Sequence, residues 1–355
     1  MPKTEDLDTK ASDEPSFHSD EIYYFNTHRP RDLVLVLQNR YEGFDPKIIP
    51  DLVEQAIDRK ITSIVANQNF GTGHLIYILD TDQGQIVFRA NRHLDKPEHY
   101  MDLEKIFTEK YKKAGVPTNT VLYTDTSRKT VDFDFQIMKL LPGKDLEDDW
   151  QGNQEQYDTI SRQLGQIVAL QYKVPVDGWG RFKPGEKLQG AHGSAHEYLM
   201  AYVDYDLEIM AIHGLITKDQ KSVIAGFLTA QKTMLDQQNQ AYLVHHDIAD
   251  HNIRYEGDQV LALFDWENAV AYDPISELGS ASTWVCHYPR RQAMIEGFLK
   301  ELGCEPENFH ERISIYFLRT MLWKSAFALK GDRFSDRHLG LLKDALAETI
   351  PELQL

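Results

Sequence analysis

The sequence predicts an α+β chain in two lobes: an N-terminal lobe built on a five-stranded antiparallel sheet with helices, and a larger, mostly helical C-terminal lobe. Three observations carry that expectation. Between Ile61 and Lys139, short segments place apolar residues at the two-residue period of strands. Beyond Gly152 the apolar period lengthens to that of helices. Later, His245, Asp247 and Asn252 stand in a His-x-Asp-x4-Asn array, with Asp265 thirteen residues past Asn252. The expected division is a disordered tail over 1–20, an N-terminal lobe over 21–140 and a C-terminal lobe over 141–355.

Met1 to Asp20 is polar and poor in large apolar residues, which leaves it too little to bury to repay the entropy of ordering. Asp32 to Tyr41 and Pro50 to Arg59 alternate near the helical period and predict two helices. Strands follow at Ile61 to Ala66, His74 to Asp80 and Gln85 to Ala90, the last two joined by a turn at Thr81 to Gly84. A helix is expected over Pro97 to Lys113, then strands at Thr120 to Thr124 and Asp132 to Lys139. Farther on, helices are predicted at Gln154 to Lys173, Ala195 to His213 and Lys218 to Gln238, with three or four more from Ile275 onward and a loop at Gly178 to Gly185. Ile253 to Tyr255 and Val260 to Phe264 read as a hairpin turning at Glu256, Gly257 and Asp258.

Composition narrows the function. The 355 residues are 42% hydrophobic, enough for a sizeable core. No stretch approaches the roughly 20 apolar residues that span a bilayer, and the first residues lack a basic-then-apolar leader, so a cytoplasmic setting is expected. Two cysteines, Cys286 and Cys304, cannot make a disulfide framework and fit a reducing compartment. A net charge of −17 argues against a nucleic-acid partner, because binding a polyanion relies on Lys and Arg displacing its counterions. It suits a cationic small molecule, which an acidic surface attracts. The histidines show no zinc-site spacing.

The array has its own chemistry. The hairpin would return Asp265 to the side of Asn252, giving an amide oxygen and a carboxylate. Such hard donors suit Mg²⁺, which keeps waters and takes its other oxygens from nucleotide phosphates. Asp247 then lies upstream of the metal ligands, placed to accept a proton from an attacking hydroxyl. Gly71 and Gly73, between the first two strands, would let backbone amides approach phosphates.

With Asp265 followed by Trp266 and Glu267, and with the segments YLVHHDIADHNI and LFDWENA, the chain resembles the aminoglycoside phosphotransferase family. Within it, the likeness is greatest to members that act on hygromycin B. The resemblance runs from about Ser63 to Trp284 and implies a bilobal protein-kinase-like fold. It implies Asp247 as catalytic base, Asn252 and Asp265 as Mg²⁺ ligands, and ATP or GTP as co-substrate. It also implies Arg89 against the nucleotide phosphates, paired with Glu104 on the following helix, and a hinge near Met138 and Leu140 whose backbone receives the base. Asp273 and Glu277 match a segment expected to brace the catalytic loop, and His245 is expected to brace it too. Glu197, Tyr198, Tyr202, Asp204, Asp206, Trp284, His287 and Tyr288 are candidates for a cleft wall. The implied activity is phosphorylation of a hydroxyl on an aminoglycoside-like substrate. A kinase of another small-molecule hydroxyl and a nucleotide-binding regulator are the alternatives.

Overall fold

The structure, a computed structural model, describes residues 40–67, 74–92, 99–183, 187–353 and 355. The expected tail at 1–20, and the helix at Asp32 to Tyr41 apart from its last two residues, lie outside the described residues. Two compact units emerge. Among the described residues, one holds the chain up to residue 150 together with 251–268, and the other holds 151–250 with 269–355.

The first unit opens with α1 (Ile49–Ile57), which has Pro50 in its first turn, where the missing N–H costs nothing. It buries Ile49, Leu52 and Val53. Strands β1 (Ile61–Ala66), β2 (Leu75–Thr81) and β3 (Gly84–Asn91) follow, then α2 (His99–Ala114), β4 (Val121–Asp125), β5 (Asp134–Lys139) and the short β6 (Lys144–Asp145). The first five strands form one antiparallel sheet in the order β1-β2-β3-β5-β4, as expected. Strand pleating decides which way its side chains face. Tyr77, Leu79, Ile86, Phe88, Phe135 and Ile137 pack with the buried face of α1. Arg89, one residue past Phe88, therefore turns to the other face, where α2 presents Glu104.

The second unit begins with α3 (Gln154–Leu170), started by a reciprocal cap between Asn153 and Gln156. Next come β7 (Pro175–Val176), β8 (Trp179–Phe182), β9 (Gly190–His192), α4 (Ala195–Met200), α5 (Val203–Ile212), α6 (Lys218–Ala230), α7 (Lys232–Asp236) and β10 (Ala241–Val244). The chain then supplies β11 (Ile253–Glu256) and β12 (Gln259–Leu263) to the first unit, where β11 pairs with both β12 and β6. It closes the second unit with β13 (Val270–Tyr272), α8 (Ile275–Ser280), α9 (Arg291–Leu302), α10 (Phe309–Lys330) and α11 (Asp336–Thr349). No helix among the described residues is long and apolar enough to cross a membrane.

Three sequence expectations need correction. The single helix expected over Ala195 to His213 breaks between α4 and α5, where Tyr202 adopts a left-handed backbone with φ 64°. That over Lys218 to Gln238 breaks at Gln231, between α6 and α7. The expected loop from Gly178 carries β8, whose four residues are all buried in a sheet ordered β7-β10-β13-β8-β9. Its glycines disguised it: Gly178 has φ 67°, and a Cβ there would lie 2.6 Å from the Gly190 carbonyl oxygen.

Helices α3 and α9 touch backbone to backbone. A Cβ on Gly165 would lie 1.9 Å from the Met294 carbonyl oxygen, and one on Gly297 would lie 1.9 Å from that of Arg162. Neither obstacle is a flexible side-chain end, so the helices themselves must separate. Gly165→Ala or Gly297→Ala is expected to destabilise the protein by about 1–3 kcal/mol, the usual cost of overpacking. Gly340→Ala, on α11 in open space, is expected to gain roughly 0.4–1 kcal/mol. Thermal unfolding of the three variants checks both signs.

Candidate active site

In the first unit, Arg89 is 7% exposed and Glu104 is 1% exposed. The Arg89 Nη2 donates to Glu104 Oε2 in a tight ion pair, and its Nη1 lies 3.7 Å from Asp265 Oδ1. One guanidinium on β3 thus joins a carboxylate from α2 to one just past β12. The hairpin explains how Asp265 arrives. Ile253 pairs with Leu263, and the Phe264 N–H donates to the Asn252 carbonyl at 3.1 Å, so the chain returns to Asn252 one residue before Asp265. Asp265 takes φ 66°, a left-handed backbone that Asp tolerates better than most residues.

Trp266 anchors this loop. Its indole is fully buried, lies 4.4 Å from the Tyr111 ring between centroids, and donates to Thr118 Oγ1 at 2.9 Å and Asn119 Oδ1 at 3.1 Å. Asn119 in turn donates to Glu104 Oε1 at 3.4 Å. Glu267 meets His74 Nε2 at 3.2 Å. Arg89, Glu104, Asn119, Trp266 and Asp265 therefore form one connected network.

Asn252, 2% exposed, and Asp265, whose side chain is 36% exposed, are the oxygen donors beside this network. Among the described residues no group of three or more His, Cys, Asp and Glu side chains could hold a metal ion. An amide with a carboxylate is a donor set that fits Mg²⁺ carrying its own waters and phosphate oxygens, and fits poorly the soft or imidazole-seeking metals.

In the second unit the loop after β10 is tied down at nearly every residue. His245 is wholly buried, and its Nδ1 accepts from the Asp247 N–H at 3.2 Å. The His246 N–H donates to Glu277 Oε1 at 2.5 Å, with His246 at φ 65°. Arg290 donates to the Ile248 carbonyl and, at 2.8 Å, to Asp250 Oδ1, which also accepts from the Tyr157 hydroxyl at 2.9 Å. Asp247 itself is half-buried. Burial, reinforced by the charges of Arg181, His245, Arg319 and Lys324, pushes the His246 pKa down to about 3 and keeps its ring neutral. Burial raises Glu277 to about 8; the His246 N–H opposes this and the nearby Asp247 charge adds to it.

Asp273 accepts from Arg312 Nε at 2.9 Å, the Tyr316 hydroxyl at 2.8 Å and the Ile275 N–H at 3.1 Å. With 2% exposure it faces the core rather than a substrate. Tyr198 and Asp206 are likewise buried, Asp206 against Arg319 at 2.8 Å. Trp284, His287 and Tyr288 do line a cavity of about 960 Å³, with Arg290, Arg337 and Asp344, a volume in the range of small-molecule pockets. Met138 sits on β5 opposite Val87 and Val121. The Leu140 N–H points at the Gln85 carbonyl at 3.5 Å. Gly71 and Gly73 lie outside the described residues. Sequence reasoning missed Asn119, Tyr157 and Arg290. Trp266 carried the one available signal, as a large aromatic fixed beside an acid at the end of a strand.

A model described as the phosphotransferase enzyme family matches residues 69–312. No curated protein sequence matches the chain. Among solved structures, it is similar to a thermostable mutant of aminoglycoside phosphotransferase APH(4)-Ia in a ternary complex with AMP-PNP and hygromycin B. That pair is 16% identical with a TM-score of 0.60, over 85% of this chain and 98% of the other. It is also similar to macrolide 2'-phosphotransferase MphH from Brachybacterium faecium, 13% identical with a TM-score of 0.57, over 87% of this chain and 100% of that one. These likenesses show the protein-kinase-like fold expected from the sequence.

Glu277 makes stability depend on pH. Its folded pKa of about 8 exceeds the ordinary 4.5, so its contribution is complete below about pH 4.5 and is lost as pH rises through about 8. Urea unfolding between pH 5 and pH 8.5 is expected to show stability falling over this window. Glu277→Gln, which keeps an acceptor oxygen and removes the titration, should flatten that fall.

Proposed function

The chain belongs to the phosphotransferase enzyme family, and from that premise we propose that it transfers the γ-phosphoryl group of ATP or GTP to a hydroxyl of a small molecule, with Mg²⁺. The buried Arg89, shared between Glu104 and Asp265, is the observation that supports this reading most. Glu104 fixes the guanidinium in one orientation, and phosphate oxygens suit its planar fork.

Arg89 and the backbone amides at Gly71 and Gly73 would hold the phosphate tail, and the backbone near Met138 and Leu140 would receive the base. Asn252 and Asp265 would hold Mg²⁺, which when bound neutralises charge on the phosphates. Asp247 would orient the acceptor hydroxyl and take its proton as the new O–P bond forms and the bond from the γ-phosphorus to the nucleoside diphosphate breaks. Because the transition state is loose, the proton need not leave before the phosphoryl group moves. The ties on His246, Asp247, Ile248 and Asp250 fix the base in place, so little rearrangement is needed when substrate arrives.

The cavity lined by Trp284, His287 and Tyr288 does not have Asp247 in its wall, so it would take the part of the acceptor remote from the reacting hydroxyl. An aminoglycoside-like sugar is the first acceptor to test, hygromycin B among them, and a cytoplasmic enzyme of antibiotic resistance is the corresponding role. The cavity lining favours a sugar-like acceptor over a strongly polycationic one, because Arg290, Arg291 and Arg337 balance Asp344 and Glu348. Another small-molecule hydroxyl is therefore the second reading, one that the macrolide phosphotransferase likeness also admits.

Purified protein incubated with Mg-ATP or Mg-GTP and a panel of aminoglycosides, macrolides, amino alcohols and sugars should add one phosphoryl group to at least one of them by mass. Asp247→Asn is expected to keep nucleotide binding and lower turnover by roughly 10²- to 10⁴-fold. Asp265→Asn should weaken Mg-nucleotide binding itself, and Arg89→Lys should raise the nucleotide KM. Wild-type turnover in Asp247→Asn would remove Asp247 as the base.

A further inference from the structure

Pro117, Thr118 and Asn119, between α2 and β4, join parts of the first unit that are far apart in sequence. The Leu263 N–H donates to the Pro117 carbonyl at 2.9 Å and Thr118 bridges to Leu263, so this segment runs beside the end of β12, two residues short of Asp265. Asn119 then uses its whole amide. Its Oδ1 accepts from the Trp266 indole N–H at 3.1 Å and from the Thr118 hydroxyl at 3.0 Å. Its Nδ2 donates to Glu104 Oε1 at 3.4 Å and faces Met138 Sδ at 3.3 Å. Asn119, Trp266 and Glu104 are all buried. An indole N–H only donates and a carboxylate only accepts, so a group standing between them must accept on one side and donate on the other. Aspartate could not donate, and leucine could do neither.

Glu104 meets Arg89 through Oε2 and Asn119 through Oε1, so the amide fixes the plane of the carboxylate that orients the guanidinium. Tyr111, two turns along the same face of α2, lies against the Trp266 ring. The helix carrying Glu104 and the loop carrying Asp265 are thereby held to one register. We propose that Asn119 is a positioning residue for nucleotide binding: by linking Glu104 to Trp266 it sets the Arg89 guanidinium and the Asp265 carboxylate at one spacing, so that phosphate oxygens and Mg²⁺ are met together. Asn119 acts through Glu104 and Trp266, without touching the nucleotide. This rests on the phosphotransferase reading, in which Arg89 and Asp265 serve the phosphates and the metal.

A binding cycle on the full-length protein tests this. Mg-ATP and Mg-GTP are each titrated calorimetrically into the wild type, Asn119→Asp, Glu104→Gln and the double variant. Asn119→Asp keeps the oxygen that Trp266 and Thr118 use, and sets a carboxylate against Glu104 where a donor stood. It should weaken nucleotide binding by roughly tenfold or more, the worth of a hydrogen bond to a charged group. In the Glu104→Gln background the new carboxylate meets an amide, so the same substitution should cost less than about twofold, the scatter expected of uncoupled changes. In the transfer assay the nucleotide KM of Asn119→Asp should rise with the loss of affinity, while the acceptor KM stays within about twofold of the wild type.

Wild-type affinity in Asn119→Asp, or equal losses from it in the two backgrounds, overturns the inference and leaves the phosphotransferase reading standing, because nucleotide is still bound. A wild type that binds neither nucleotide removes that reading, and the role of Asn119 falls with it. If Asn119→Asp fails to fold, Asn119→Ala is taken through the same cycle. A loss that shrinks by about threefold or more in Glu104→Gln then supports the coupling, and an undiminished one overturns it.

Discussion

A guanidinium buried at β3 is the constraint that organises the first unit. Arg89 cannot leave water without an acid to meet it, and an unpaired buried charge costs several kcal/mol, roughly 3–5 when a partner is removed. Glu104 must therefore come from α2 at one helical register, and the strand pleat must turn Arg89 away from the apolar face that α1 covers. Asp265, 3.7 Å from the same guanidinium, ties the β11–β12 hairpin to that arrangement. The Trp266 indole, gripped by Thr118 and Asn119, keeps the hairpin from sliding. A one-residue slip in any of these elements would separate the charges, so the network specifies register.

The second unit solves a related problem with three buried pairs, Arg290 with Asp250, Arg312 with Asp273 and Arg319 with Asp206. Each arginine also reaches backbone carbonyls: Ile248 for Arg290, Glu307 for Arg312, Leu199 and Ala201 for Arg319. A planar fork with five donors can satisfy a carboxylate and a loop carbonyl together, which lysine cannot do in fixed geometry. Carbonyls of irregular backbone thereby gain donors, and Arg290 holds the loop before Asn252.

Much of this was legible in the sequence, and the rest was hidden for identifiable reasons. The five strands of the first sheet fall within a residue or two of their predicted ends, because one face of each is apolar and strand period reports that directly. Arg89 meets Glu104 as the resemblance implied, and its approach to Asp265 is the structure's addition. Helices α4 to α7 were drawn as two because their apolar period runs through the breaks at Tyr202 and Gln231. Only the left-handed backbone at Tyr202 shows that the chain turns there. Strand β8 was lost among glycines that its close packing against Gly190 demands. Arg290, Tyr157 and Asn119 lie far in sequence from the motif they touch. No local pattern marks a side chain whose partner is a tertiary neighbour.

The segment from Ala281 to Arg290 has two duties that conflict. Thr283 and Trp284 hold the Lys324 ammonium, and Arg290 clamps Ile248 and Asp250. Trp284, His287, Tyr288 and Arg290 also wall the cavity in which an acceptor would sit. Under the proposed function, a molecule lodged there would meet Arg290, whose bonds to Ile248 and Asp250 hold the loop that carries Asp247. Acceptor choice and rate are then coupled through one stretch of chain: a substitution that reshapes the cavity at Trp284 also unseats a cation, and one at Arg290 leaves the Asp250 carboxylate buried without its charge. Under the proposed function, a change of acceptor that spares the rate would be made on the other wall, at Leu341 and Asp344 of α11, which line the cavity away from the Arg290 clamp.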